Sequence, residues 1–451
     1  MRRIVDLAMR RSTSFFGVLA LAASFIVIGL GLGLTFFADE WAFVERRSLL
    51  DPGTWWAPHN EHWSTLPVVV YGVIVEIVGL RSYVPFLVVL YGLHVVGCAA
   101  LFVLVRRRAG PLAALGAASL GLLLGSGFEN LFWGFQLGFV GSTAAGLWAI
   151  VVLDEPPSRA RRAAVCMLLL AGLATSGIGL TFLLVAGILV LVRRDWRGSW
   201  LVLGIPAAAY LIWFQLVGSP GIGVHRLPLN LETAIAIPSF VAGGFANAAG
   251  AVLGVGPQLG AIAAWGVLIL AISMNLRRRD PRPQVAIACA FGIAFQYTLI
   301  AAARAGVTEG QVDYTRYTYV GALLMLVAVA DLARGVGLPQ ARLRRLVVAG
   351  VLVALLELGL VWNVRLLVEG RALFAERAMT TRALVTVALD PAYASQVADD
   401  RSLVLVPSPQ SLRAIVDRYG SPLADALAPW AVPPVTPDDI SDALRRAAAV
   451  R

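Results

Sequence analysis

The residues best suited to chemistry lie in three short stretches. The first is Phe36-Phe37-Ala38-Asp39-Glu40-Trp41, two consecutive carboxylates directly after an apolar run. Ionisable groups at the mouth of an apolar helix are costly unless solvated or used. The pair is either an exposed acidic boundary with Trp41 as an interfacial anchor, or a general base that takes a proton from an acceptor hydroxyl. The second stretch is Pro58-His59-Asn60-Glu61-His62-Trp63-Ser64, the only dense polar cluster outside the C-terminal tail, with two of the four histidines. Its flanking Trp55, Trp56 and Trp63 suit a sugar ring or a lipid headgroup. His59 and His62, three apart on a helical turn, also suit a divalent metal completed by Glu61 or Asp39, although spacing fixes no third ligand. The third stretch runs from Glu129 through Asn130, Phe132 and Trp133 to Gln136. It is either an aromatic belt with one packing glutamine, or part of an acceptor site beside Asp39. His94 and Glu357 stand alone in apolar runs and read as packing partners, while His225 sits on a loop with no assignable role.

The elements that must position these residues follow from composition. The chain has 451 residues, 59% hydrophobic and 14% charged, with a mean hydropathy of +0.78. Soluble proteins carry about 45–50% apolar and about 25% charged residues, so a soluble enzyme, a disordered chain and a disulfide scaffold are excluded. Long apolar stretches recur from residue 14 to residue 366, which describes an all-α polytopic membrane protein. The net charge of +10 is not a nucleic-acid signal: all 37 basic residues are Arg, and 21 of them fall in six short clusters between apolar runs. By the positive-inside rule these clusters face the cytoplasm. Cys98, Cys166 and Cys289 lie in apolar runs and build neither a disulfide framework nor a metal site.

Parity between the clusters gives a topology. A first span at 14–37, its N-terminus inside, places 38–82 outside, with an interfacial helix at 67–80 that is too short to cross. Spans follow at 83–105, 110–127 and 131–153, then two short helices within 163–192 broken at Ser176-Gly177, and a span at 200–217. Residues 231–254 are placed as a re-entrant or interfacial segment, because 257–276 already supplies the needed crossing. With 285–303, 317–334 and 346–366 the total is about 11 crossings. Residues 1–369 then form the membrane domain, and 370–451 a small external α/β domain with a strand at Leu403–Val406 and a helix at Ser411–Tyr419.

An acidic pair after the first span, a His-containing external loop, an interfacial helix opening at Leu66-Pro67 and a basic-capped second span resemble the GT-C glycosyltransferases. Protein O-mannosyltransferases and lipid A aminoarabinose transferases share that opening. The resemblance implies an inverting enzyme that takes a sugar from a polyprenyl phosphate on the outer face of a bacterial plasma membrane. It delivers the sugar to a glycan, lipid or protein acceptor in the cell envelope. Asp39 is then the general base, with Glu40 as second choice or partner, and His59, Glu61, His62, Trp63, Glu129 and Gln136 bind sugar or acceptor. The leaving phosphate needs cations. Arg304 at the end of one span, and Arg316 with Tyr317 at the start of the next, match the cationic turn that such enzymes place near the carrier. The chain departs from the family in its small tail and in His-Asn-Glu-His where relatives show His-Pro. No resident cofactor is implied beyond a compatible divalent metal. The other readings are a lipid-linked saccharide translocator, which needs a polar line through several spans, and a non-catalytic membrane scaffold.

Overall fold

In hydrocarbon every backbone N–H and C=O must be bonded within the chain, so long apolar stretches fold as helices. A computed structural model of the protein describes residues 11–59, 62–193, 196–219, 231–277, 283–304, 315–335, 340–393, 396–399, 402–403 and 405–448. Glu61, His225 and the Asp313-Tyr314 turn lie outside the described residues, as does the side chain of Arg304.

The chain opens with α1 (Ser12–Gly31), the short α2 (Glu40–Glu45) and α3 (Gly53–Trp56), and then α4 (Thr65–Val78). Helix α5 (Val84–Ala109) ends on Arg106–Arg108, and Gly110, at φ +88°, reverses the chain into α6 (Pro111–Leu122). A small α7 (Glu129–Phe132) precedes α8 (Leu137–Leu153). Two short helices, α9 (Arg159–Leu173) and α10 (Ile178–Val192), break at Ser176-Gly177 as the sequence indicates. There follow α11 (Trp196–Trp213), α12 (Leu231–Leu253), α13 (Pro257–Arg277), α14 (Gln284–Arg304), α15 (Thr315–Leu332) and the 48-residue α16 (Arg342–Leu389). The tail adds α17 (Pro409–Tyr419) and α18 (Pro437–Ala448).

Eight described helices are long and apolar enough to cross a membrane, against the expected total of about 11, and four shorter apolar helices accompany them. The chain is a multi-pass membrane protein. Three further expectations change. The first span is not one helix to Phe37: α1 stops at Gly31 and residues 34–37 run without helix or strand, because Arg side chains rather than the next turn satisfy carbonyls there. Residues 231–254, expected as a re-entrant or interfacial segment, hold one continuous helix long and apolar enough to cross, packed against α13. Its C-terminal end meets the turn after α6, where Ser126 Oγ donates to the Ala251 carbonyl at 2.9 Å. The tail carries no strand among the described residues; Leu403 and Val406 form one isolated bridge. Helix α16 also runs unbroken through the expected domain boundary at 369/370.

The two ends of the bundle differ in chemistry. At the Arg-rich end, Arg108 is 2% exposed and holds Asp331 and Asp154 at 3.0 Å each, while Arg193 takes the other oxygen of Asp154 at 3.0 Å. The second oxygen of Asp331 accepts the Val285 and Ala286 N–H groups, both at 3.0 Å, which would otherwise be orphaned at the start of α14. Removing one partner of a buried pair leaves an uncompensated charge, a loss of about 3–5 kcal/mol. Asp331→Asn should therefore melt well below wild type in detergent; an unchanged midpoint would show the network to be solvated.

The opposite end has its own core, in which Phe36, Trp41, Tyr71, Phe86 and Trp133 pack with Leu412 and Ala443 of the tail. Gly79, at φ +68°, lies so close to the Tyr419 carbonyl that a Cβ would stand 2.1 Å from it. The tail is thus seated directly on the chain between α1 and α5.

Candidate functional site

The carboxylate pair begins at a strained residue. Ala38 has φ +49°, the only positive value at a described non-glycine residue, and its N–H donates to the Leu405 carbonyl at 3.3 Å. Left-handed backbone at a residue with a Cβ costs on the order of 1 kcal/mol or more and persists only where the surroundings enforce it. The turn sends the two acids in different directions. Asp39 stays partly exposed at the start of α2, whereas Glu40 is fully buried.

Glu40 is the centre of a hydrogen-bonded hub. Its Oε1 accepts the Tyr71 hydroxyl at 2.5 Å and the Tyr83 hydroxyl at 2.8 Å, and its Oε2 accepts the Phe37 N–H at 2.8 Å. The Tyr83 oxygen in turn accepts the Gly134 N–H at 2.7 Å. Burial pushes the Glu40 carboxyl up to about 8, against the pull of the two phenols and the Phe37 amide, and the neighbouring Asp39 charge adds to the rise. Burial and the facing carboxyl raise the Tyr71 and Tyr83 phenols as well, so both remain donors. Glu40 is consequently a neutral strut at pH 7, not a base open to substrate. Of the two candidates, Asp39 is the partly exposed one.

Gly134 belongs to the same hub for a steric reason. A Cβ there would lie 2.6 Å from the Tyr71 hydroxyl and 2.7 Å from Glu40 Oε1. This contact brings the 129–136 stretch against the acidic pair, as Trp133 shows by donating to the Phe37 carbonyl at 3.3 Å. Phe135 packs, tilted, between two further rings, its centroid 5.5 Å from Phe43 and 5.0 Å from His59.

The histidine loop is anchored by Arg47, which donates to the carbonyls of Thr54, Ala57 and Pro58 at 2.6, 3.0 and 2.8 Å. His59 and His62 are not on a helical turn: each donates its N–H to the other's carbonyl, at 3.1 and 3.0 Å, across a tight bridge. Their rings part company. His59 packs on Phe43 and Phe135, and His62 lies edge-on to Phe139 and against Gly177, where a Cβ would come 2.6 Å from Nδ1. Among the described residues no group of three or more His, Cys, Asp or Glu side chains stands together as a metal site. Trp63 is also not an open stacking face. It is 7% exposed, stacks on Trp213 at 5.5 Å and bonds Thr65 at 2.7 Å, so it locks the loop to α11.

Glu129 and Arg316, read separately in sequence, meet in the structure. Glu129 Oε2 accepts the Arg316 N–H at 3.1 Å, and the Arg316 guanidinium stands 3.9 Å from Oε1 and 5.1 Å above the Tyr317 ring. Tyr317 is buried, and its carbonyl accepts from Gln296 at 3.0 Å. Gln136 is likewise buried, accepting from Asn130 at 3.3 Å, so it shapes the stretch from within. The carboxylate turn, the histidine loop and the 129–136 stretch are therefore joined through shared contacts, and Arg316 is joined to them through Glu129.

Sequence reading missed the hub tyrosines, and it missed three arginines of α16. Arg371 and Arg382 donate to the Leu32 and Leu34 carbonyls at 3.3 and 3.4 Å, and the Arg377 guanidinium lies 5.2 Å from the Phe37 ring and 4.9 Å from Phe374. Tyrosines at α4 and the start of α5 carry no local signal for a partner 31 to 43 residues away. The Arg residues fall within 370–451, read in sequence as a separate tail domain.

No protein-family model and no curated protein matches the chain. Among solved structures it is similar to ArnT from Cupriavidus metallidurans bound to undecaprenyl phosphate, with a TM-score of 0.51 and 15% identity over 94% of this chain and 89% of that one. The apo form of that ArnT aligns with a TM-score of 0.50 and 17% identity over 87% and 81%. The two chains share a fold across nearly their whole lengths.

Proposed function

We propose that this chain, folded as ArnT is, transfers a sugar from a polyprenyl phosphate to an acceptor in the cell envelope, with inversion at the anomeric carbon. The observation that carries the reading is the presentation of Asp39. It follows a strained, tail-held Ala38 and stays partly exposed, while its neighbour is buried and caged by three donors. Strain of this kind gathers at functional positions.

In the proposed reaction Asp39 accepts the proton of an acceptor hydroxyl, which attacks the anomeric carbon opposite the carrier phosphate. The C–O bond to phosphate breaks, and the phosphate keeps the electron pair. Arg316, aimed by Glu129 and stacked on Tyr317, holds the growing negative charge. Arg304, the last residue of α14, is the second cation of the reading. The bound lipid of the ArnT structure supports a polyprenyl phosphate as the carrier. His59 and His62 frame the acceptor side through the aromatic groups that fix them.

The reaction is tested by supplying membranes containing the chain with labelled polyprenyl-phosphate sugars and following label into envelope material. No transfer from any such donor would overturn the proposal. The phosphate grip has its own test. Arg316→Lys keeps the charge but loses the planar fork and its stacking, so binding of undecaprenyl phosphate should weaken by roughly 10- to 100-fold, the worth of a charged hydrogen bond. Wild-type affinity in the Lys variant would reduce Arg316 to an interfacial anchor.

A further inference from the structure

Helix α16 crosses the membrane at the edge of the bundle with most of its apolar half uncovered. Its depth can be set from its own charges. Arg345 and Arg365 lie 20 residues apart, about 30 Å at 1.5 Å per residue, which is the thickness of a hydrocarbon core. Arg365 behaves as a boundary residue, bonded to Glu369 at 2.7 Å and 5.1 Å above the Trp362 ring. Glu357 then falls about 12 Å below that boundary, near the middle of the bilayer.

Glu357 is exposed there, with no hydrogen bond or ion pair to any described residue. An ionisable side chain facing lipid costs about 2.5–3.5 kcal/mol on insertion scales, and such residues nearly always face protein or water. The positions around it are regular. Leu346, Gly350, Val353, Glu357, Val361 and Val364 follow one another at steps of three or four, all exposed, and so form one stripe. That is the spacing of a helix–helix seam. Gly350, seven residues before Glu357, has nothing within 4 Å of its Cβ direction, so a second backbone can approach closely.

We infer that this stripe is the contact face of a parallel two-fold dimer of the chain, closed at mid-membrane by a hydrogen bond between the two Glu357 carboxyls. Lipid tails offer Glu357 no partner, and an unrelated helix would need a polar group at the same depth. A second copy supplies one by symmetry. A two-fold axis along the membrane normal puts equal heights in register, so Glu357 meets Glu357 and Gly350 meets Gly350. The face lies opposite Gly359, whose Cβ direction meets Leu120 at 2.9 Å, while Leu356, about a quarter turn from the stripe, packs toward Gly116.

Single-molecule photobleaching of the labelled full chain, diluted in phosphatidylethanolamine–phosphatidylglycerol vesicles, reads the association directly. Wild type and Glu357→Gln, which still hydrogen-bonds, should be dimeric. Glu357→Leu should associate about tenfold more weakly, the order of one intramembrane hydrogen bond, and Gly350→Leu should do the same by blocking close approach. Equal thermal midpoints in detergent identify the folded variants, and Gly350→Cys should cross-link to its copy where Leu356→Cys does not. Three results would overturn the inference. One is a monomeric wild type at every dilution. Another is a Glu357→Leu variant that associates as tightly as wild type. The third is a different protein held through Glu357 while copies of this chain stay apart.

Discussion

Asp39→Asn should insert normally, bind undecaprenyl phosphate as wild type does, and transfer almost no sugar. A sugar hydroxyl is a poor nucleophile at neutral pH, and a positioned base contributes about 10²–10⁴-fold to such a step. Asparagine keeps the size of the side chain but cannot take the proton. The structure separates this variant from its neighbour. Glu40 is buried, bonded by three donors and neutral near pH 7, so Glu40→Gln should lose much less activity than Asp39→Asn. The comparison is made at saturating donor, so that a loss in the chemical step is read apart from a loss in binding. A ranking with Glu40→Gln the more damaged would move the base to Glu40. Near-normal transfer by the double variant would remove the mechanism and leave a translocator or a scaffold.

Folding stability should fall as pH rises, and Glu40 should account for much of the slope. Its carboxyl titrates near 8 in the folded chain against 4.5 in an exposed one. The folded state therefore holds a proton that the unfolded state releases, and stability drops across the interval between those values. Below pH 4.5 the contribution is complete; above about 8 it is gone. The ceiling for such an interval is roughly 5 kcal/mol, at about 1.4 kcal/mol per unit. Glu40→Gln cannot ionise, so the fall should flatten. Glutamine still accepts both phenols but not the Phe37 N–H, which costs about 1 kcal/mol. The variant should thus melt slightly below wild type at pH 5 and above it at pH 9. Parallel melting curves at the two pH values would show that the hub is open to water.

Much of this protein was legible in its residues. Apolar length and the six Arg clusters are local properties, and hydrocarbon admits only helices. The membrane class, most of the helices and the break at Ser176-Gly177 followed from them. Asp39 could be singled out because two carboxylates beside an apolar run stand out by composition alone. Other features could not be reached in that way. Glu40 looks equivalent to Asp39 in sequence; only the fold, with its left-handed turn at Ala38 held by Leu405 far along the chain, leaves one acid partly exposed and the other in a cage of Tyr71 and Tyr83. Trp63 has the composition of a sugar platform, and only its stacking on Trp213 shows that it is a core residue. The expected tail strand at Leu403–Val406 shrank to one bridge, because the tail finds its backbone partners on the chain between α1 and α5 instead of on itself. Side-chain type and period set what each segment is, since both act over a few residues. Which acid stays partly exposed and which is caged depends on donors and burial brought from distant segments, and only the packed bundle decides that.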